Sequence, residues 1–280
     1  MAQISETGSG HLDDAGYQPT TDLRTNQPHA ARMYDFLLGG RDHFAADRQA
    51  AKKALSAFPT LRIAAEENRR FLGRAVEYLV REAGIEQFLD IGSGLPTAEN
   101  VHQVAQRHSP GARVVYVDND PIVLAHGRAL LEEDTRTTVI QADVREPRSI
   151  LEHPGARQLL DFSRPMAVLV VALFHFIGDD EDPIGILRTL RDAVAPGSYF
   201  VLSHATAEIS PETALGVQRA YRAQGVPLTL RDRAQFLEFF QGMELVEPRV
   251  QVVSDWRSGL TEGQRPSHAE VSWYGGIARV

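Results

Sequence analysis

Cysteine is absent from the 280 residues, which excludes disulfides, thiolate metal sites and cysteine nucleophiles together. Lysine is nearly absent too. Lys52 and Lys53 stand alone in an otherwise all-arginine basic set, a codon bias that points to a GC-rich bacterial genome and says nothing of function. Positive charge is in deficit, 29 Lys and Arg against 37 Asp and Glu, for a formal charge of -8. A non-specific nucleic-acid binder needs surplus positive charge to displace counterions, so that class is excluded. No apolar run reaches the ~18–20 residues that a membrane helix needs; the longest, Met166–Leu173, is strand-length. The opening segment MAQISETGSGHLDDAG has no apolar signal core, so a cytoplasmic protein without membrane contact is expected.

The remaining composition is that of a folded chain, 43% hydrophobic and 24% charged, with ample length for a sizeable core. Residues 1–28 are rich in Gly, Thr, Asp and Pro without periodicity and read as a flexible tail. Residues 29–84 read as a helical lid or cap. A first helical stretch, 30–58, is interrupted at Gly39-Gly40, and a second, 61–83, carries Phe71, Leu72, Ala75, Val76, Leu79 and Val80 at helical spacing before Gly84 stops it. From Ile85 the pattern changes to short apolar runs alternating with helices: strands at 87–91, 113–117, 138–142, 167–173 and 199–203, helices at 97–108, 121–133 and from Pro183. The run at 167–173 shows no polar alternation, as a central parallel strand buried on both faces requires. The expected fold is therefore α/β, a doubly wound, mostly parallel Rossmann-like sheet over residues 85–280. Helices are expected at 211–224 and 230–240. The runs 245–253 and 270–280 are expected to pair as an antiparallel hairpin at a sheet edge.

The chemistry gathers at strand ends. Asp90-Ile91-Gly92-Ser93-Gly94 closes the first strand, and its glycines let the backbone approach a ligand closely. The second strand ends at Asp118-Asn119, where a carboxylate can hold ribose hydroxyls, and the third at Asp143-Val144, suited to an adenine edge. A tight turn explains a bare Gly-x-Gly equally well; three acidic strand ends in chain order make a constellation. A dinucleotide site needs a third small residue, as in G-x-G-x-x-G. Here Pro96 and Thr97 follow, and Asp90 is a poor neighbour for a diphosphate. A cationic nucleoside without phosphate, S-adenosylmethionine, fits better than NAD.

These residues resemble the class I S-adenosylmethionine-dependent methyltransferases, whose acidic-x-Gly-x-Gly motif is matched by Asp90, Gly92 and Gly94, and whose later acidic strand ends are matched by Asp118 and Asp143. Many members have a third glycine where this chain has Pro96. The segments ARMYDFLLGGRDHFAADR, NRRFLGRAVEYLV, QFLDIGSGLPT and VYVDNDPIVLAHGRALL, with the terminal YGGIARV, resemble more closely a bacterial S-adenosyl methyltransferase family long catalogued as a domain of unknown function. The likeness spans about residues 28–280. It implies methyl transfer from S-adenosylmethionine, leaving S-adenosylhomocysteine, to an acceptor that the motifs do not name. It also implies that the segment around Gly39-Gly40 folds over the cofactor, with Tyr34 beside it and Arg41 on the methionine carboxylate, where the bland alternative is a helix cap with surface charges. The strand end Ala172-Leu173 is expected to line the transfer site. His175 is a candidate general base, set against a purely structural histidine. The ten histidines show no His-x-x-x-His spacing or comparable cluster with carboxylates, so no metal is expected. A small-molecule acceptor is the expected partner. The competing readings are a non-catalytic cofactor-binding regulator and an NAD-dependent oxidoreductase.

Overall fold

The computed structural model describes residues 23–97, 99–131 and 135–280. Most of the expected tail, residues 1–22, lies outside the described residues. Its last part is tied down, since the Arg32 guanidinium donates to the Gln27 carbonyl at 3.0 Å.

In chain order the elements are α1 Ala30–Leu37, α2 Ala45–Ala57, α3 Leu61–Arg81, β1 Gln87–Ile91, α4 Val101–His108, β2 Arg113–Asp118, α5 Pro121–Leu131, β3 Thr137–Gln141, α6 Pro147–Leu151, α7 Pro154–Leu159, β4 Ala167–Val171, α8 Pro183–Asp192, β5 Tyr199–Ala205, α9 Pro211–Arg222, α10 Arg233–Glu238, β6 Glu244–Leu245, β7 Gln251–Val252, α11 His268–Val271 and β8 Trp273–Arg279. The sheet order is β3-β2-β1-β4-β5-β8-β6, with β7 also on β8. Strands β1 to β5 pair in parallel, and β8 is antiparallel to β5, β6 and β7. The order reverses between β1 and β4, and a doubly wound sheet opens its ligand crevice at such a point. All of β1 and β4 is buried, as apolar strands covered by helices on both faces should be.

The helices α1, α2 and α3 share one continuous core with the sheet. Helix α3 packs on α4, β8 and α11, and α2 on α9. The buried stripe of α3, including Phe71, Leu72, Ala75, Val76 and Leu79, is the one its periodicity predicts. The chain departs from expectation where a local breaker outweighs periodicity. The helix after β1 begins at Val101, not Thr97, because Glu99 sits at φ 61° and Asn100 closes a turn by accepting from the Thr97 N–H at 3.0 Å. The expected strand 245–253 divides into β6 and β7 around Pro248, which has no N–H to give a ladder. The two C-terminal runs do pair antiparallel, yet β8 lies inside the sheet with β6 and β7 on its outer side. Helices α6 and α7, absent from the sequence reading, each start at a proline suited to a first turn.

Candidate functional site

A cavity opens over the carboxyl ends of β1, β2, β3 and β4. Its walls include Asp90, Gly92, Ser93, Gly94, Asp118, Asn119, Asp143, Val144, Ala172 and Leu173, and Tyr34 closes it from α1. The sequence-predicted positions thus converge, with two exceptions considered below.

The glycine loop is built for close approach. Gly92 and Gly94 take φ 73° and 66°, where a side chain is strained. A Cβ on Gly92 would also lie 2.8 Å from the Leu173 side chain. The N–H groups of Gly92 and Ser93 both donate to the Val117 carbonyl, at 2.8 and 3.1 Å. The Gly94 N–H donates to Asp118 Oδ2 at 2.9 Å, and the Asp120 N–H to Asp118 Oδ1 at 3.0 Å. Asp118 therefore pins the loop and lines the cavity. Burial raises its pKa against the pull of these two N–H groups.

Asp90 is the most exceptional group. It is 4% exposed and has no hydrogen-bond donor among the described residues. Burial raises its pKa to about 7, the Arg69 charge opposes the rise and Asp118 adds to it. A buried carboxylate without a donor is costly unless a ligand brings a cation. Asp143 is the reverse case. It accepts from the Arg145 N–H at 2.9 Å and from Asn119 Nδ2 at 3.0 Å, and Arg145 pairs with it at 3.1 Å. Its carboxyl is held below the usual range although burial opposes this, by the Arg145 N–H, Asn119 and the Arg145 charge. The neighbouring Val144 lines the cavity. Ala172 takes φ 57°, a strained geometry for a non-glycine residue. Its N–H donates to Ser203 Oγ at 2.9 Å, which fixes it there.

Arg41 stands apart. It is exposed and does not line the cavity. The turn after α1 folds back on the buried Asp35, which accepts from the Asp42 N–H at 3.0 Å and from His43 at 2.8 Å. A Cβ on Gly40 would lie 1.9 Å from an Asp35 oxygen. The Gly39-Gly40 break thus packs against the Asp35 carboxylate just after the C-cap of α1, Leu38. Two arginines line the cavity instead, Arg145 beside Asp143 and Arg69 on α3, with Asn68 next to Arg69. Arg69 Nη2 donates to Asn100 Oδ1 at 3.2 Å, while its buried Nε has no partner among the described residues. Asn68 Nδ2 donates to the Tyr34 hydroxyl at 3.0 Å, that hydroxyl donates to the Ala65 carbonyl at 2.9 Å, and Asn68 Oδ1 is buried and unpartnered among the described residues. The segment NRRFLGRAVEYLV carried both residues, and nothing in its spacing set Arg69 apart from the outward arginines.

His175 also stands apart. It is 2% exposed and lines a neighbouring cavity, not this one. Burial, then His204, then Arg231 hold its pKa well below the ordinary histidine value. A neutral, weakly basic imidazole does not suit the general-base role expected of it. Its segment is braced by the buried Arg231, which donates to the carbonyls of Phe174 and Ile177 at 3.0 and 2.9 Å.

The family model described as S-adenosyl methyltransferase matches residues 16–280. A DUF574 family protein from Streptomyces avermitilis is 42% identical with a TM-score of 0.88, over 92% of this chain and 99% of that one. A candidate methyltransferase from Thermobifida fusca is 43% identical with a TM-score of 0.88, over 94% of this chain and 99% of that one. The mitomycin 7-O-methyltransferase MmcR, at 18% identity and a TM-score of 0.51 over 79% of this chain and 56% of that one, shares the fold. The comparison with curated proteins gave no match.

Proposed function

Because the chain belongs to the S-adenosyl methyltransferase family and is a methyltransferase that uses S-adenosylmethionine, we propose that the cavity at the strand ends holds this cofactor, with its amino-acid end against α3 and its nucleoside over β2 and β3. The carrying observation is the set of unsatisfied groups on the cavity wall: the donor-free Asp90 carboxylate, the unpartnered Asn68 Oδ1 and the unpartnered Arg69 Nε. Asp90 and Asn68 suit an ammonium; Arg69 suits a carboxylate. Asp118 is assigned to the ribose hydroxyls, and Asp143 with the Val144 N–H to the adenine edge. When bound, the cofactor supplies a methyl group on a sulfonium that leaves as a neutral thioether. The chain's own part is to align the groups and exclude water. Pro28, His29, Ala31 and Tyr34 form the roof that does the latter, so the N-terminal helices act as a cap. A small-molecule acceptor, a bacterial source and a cytoplasmic location complete the reading; among the described residues no helix is long and apolar enough to cross a membrane.

Calorimetric titration with S-adenosylmethionine and S-adenosylhomocysteine tests the assignment. Arg69→Leu is expected to weaken both by about tenfold or more, the loss of a charged hydrogen bond being worth ~1.5–3 kcal/mol, while Arg41→Ala leaves them unchanged. The reverse pattern refutes the placement of the amino-acid end. Asp118→Ala is expected to cost about 1–3 kcal/mol of binding, since it removes both the ribose acceptor and the pin on the Gly94 N–H. Wild-type affinity in a folded Asp118→Ala protein contradicts that role.

A further inference from the structure

The Asp143 carboxylate, assigned above to the adenine edge, is already full. An ionised carboxylate has about four lone-pair sites, and here each meets a donor. Oδ1 accepts from the Arg145 N–H at 2.9 Å and from Arg145 Nη1 at 3.2 Å. Oδ2 accepts from Asn119 Nδ2 at 3.0 Å and from the same Nη1 at 3.1 Å. An arriving amino group must therefore displace one of these donors. The weakest hold is that of Nη1, which is split between both oxygens at the two longest distances.

The guanidinium has a second partner to fall back on. Arg145 Nε donates to Glu181 Oε1, in the turn after β4. Glu181 is itself anchored, its Oε2 accepting from the Gly178 N–H at 2.7 Å. Asp143 and Arg145 line the cofactor cavity, whereas Glu181 lies outside its wall. The side chains of Arg145, Asp143 and Glu181 are 36%, 34% and 31% exposed. Ion pairs this accessible to water are individually weak, so trading the Asp143 contact for a fuller one with Glu181 costs little.

We propose that Arg145 is a specificity-determining residue for the nucleobase: it occupies Asp143 until a purine bearing an amino group displaces its Nη1, and Glu181 holds the displaced guanidinium aside. The proposal rests on the nucleoside placement given above. An adenine amino group donates to Asp143 in place of Nη1. A purine with a carbonyl at the same ring position has no proton to offer the carboxylate and leaves Nη1 where it is. Glu181 acts from outside the cavity, through Arg145, and is a positioning residue.

The test is calorimetric titration of the full-length protein with S-adenosylhomocysteine and with S-inosylhomocysteine, in which a carbonyl replaces the adenine amino group. The wild type is expected to prefer the first by about tenfold or more, a hydrogen bond to a charged group being at stake. Glu181→Gln keeps an amide oxygen for the Gly178 N–H. It should weaken S-adenosylhomocysteine by about three- to fivefold, the scale of a partly exposed charge pair, and leave S-inosylhomocysteine unchanged. In Arg145→Met no guanidinium competes for Asp143, so adding Glu181→Gln should alter neither ligand. A merely structural Glu181 would instead weaken both ligands alike and do so in the Arg145→Met background as well. That pattern, an unaltered preference in Glu181→Gln, or equal binding of the two ligands by the wild type overturns the proposal. Asp143→Ala separates the two levels. Wild-type affinity for S-adenosylhomocysteine in that variant overturns the nucleoside placement and the role of Arg145 with it, whereas a weakened Asp143→Ala beside an unaltered Glu181→Gln overturns the role of Arg145 alone.

Discussion

Asp90→Asn is expected to weaken cofactor binding by about 100-fold, roughly 2–3 kcal/mol, and at the same time to raise the thermal midpoint of the cofactor-free protein at pH 8. Both effects follow from one carboxylate. Asp90 is buried at the end of β1 with its pKa raised from 3.8 to about 7, by burial first. A group whose folded pKa lies above its unfolded value favours the native state fully below the unfolded value, and loses that contribution as pH rises through the folded one. Above neutral pH the cofactor-free protein therefore carries an ionised, donor-free carboxylate at a cost of about 4 kcal/mol, from ~1.4 kcal/mol per unit over about three units. Asparagine keeps the shape without the charge. The advantage of the variant in unfolding midpoint should grow between about pH 4 and pH 7 and level off above. An ammonium on the ligand turns the cost into attraction, so the variant that gains stability loses affinity. Thermal scans across pH 5–8, paired with calorimetry, check both halves. A midpoint difference that stays constant over that range removes the basis for the argument.

The strain at this site was partly readable in the chain. Strands ending in Asp90, Asp118 and near Asp143 announce themselves by short apolar runs followed by Gly or Asp, which are local signals and survive folding. What decides Arg69 and Asn68 is not local. An asparagine and an arginine on a charged amphipathic helix look like a solvated face. Only the packing of α3 against α4 and β8 turns them onto the mouth of β1. Arg41 is the opposite case. A Gly-Gly break followed by Arg-Asp-His suggests anion capture, whereas in the structure the Asp42 N–H and His43 turn to Asp35 on α1 and Arg41 is exposed. The small cavity that His175 lines is harder still to read, because its wall draws on α1, the turn after β4, α9 and the start of β8. His175 reads as a base from its reference pKa; burial among aromatic rings, with His204 and Arg231 nearby, lowers that pKa well below the ordinary histidine value. Likewise β8 reads as an edge strand from order along the chain. Its place inside the sheet depends on β6 and β7 covering its outer side, a non-local pairing that no periodicity encodes.

The N-terminal helices carry a buried charge cluster, and Arg32→Met is expected to destabilise the protein by about 3–5 kcal/mol. Arg32 is 2% exposed, Asp47 0% and Asp120 3%. Its Nε lies 3.3 Å from Asp120 Oδ2 and 3.5 Å from Asp47 Oδ1. Asp47 has other support, accepting from the backbone N–H groups of His29 and Phe44 at 2.9 and 2.8 Å. Asp120 Oδ1 accepts from the Ile122 N–H at 2.9 Å, but among the described residues its Oδ2 faces only Arg32 and, at 3.2 Å, His29. Methionine fills the space and leaves that oxygen buried against a half-exposed histidine. Asp120 follows Asp118 and Asn119 in the turn over the cofactor cavity, and His29 and Ala31 form part of its roof. The lost pairing should therefore also weaken S-adenosylhomocysteine binding. The remedy identifies the cause. Asp120→Asn added to Arg32→Met removes the stranded charge, so the double variant should be more stable than the sum of the two single losses requires, by about 1–2 kcal/mol. Urea unfolding of the wild type, both single variants and the double variant measures this coupling. Strict additivity, or a loss under about 1 kcal/mol in Arg32→Met as for an exposed ion pair, would mean that hydrophobic packing of α1 and α2, not this cluster, holds the N-terminal helices in place.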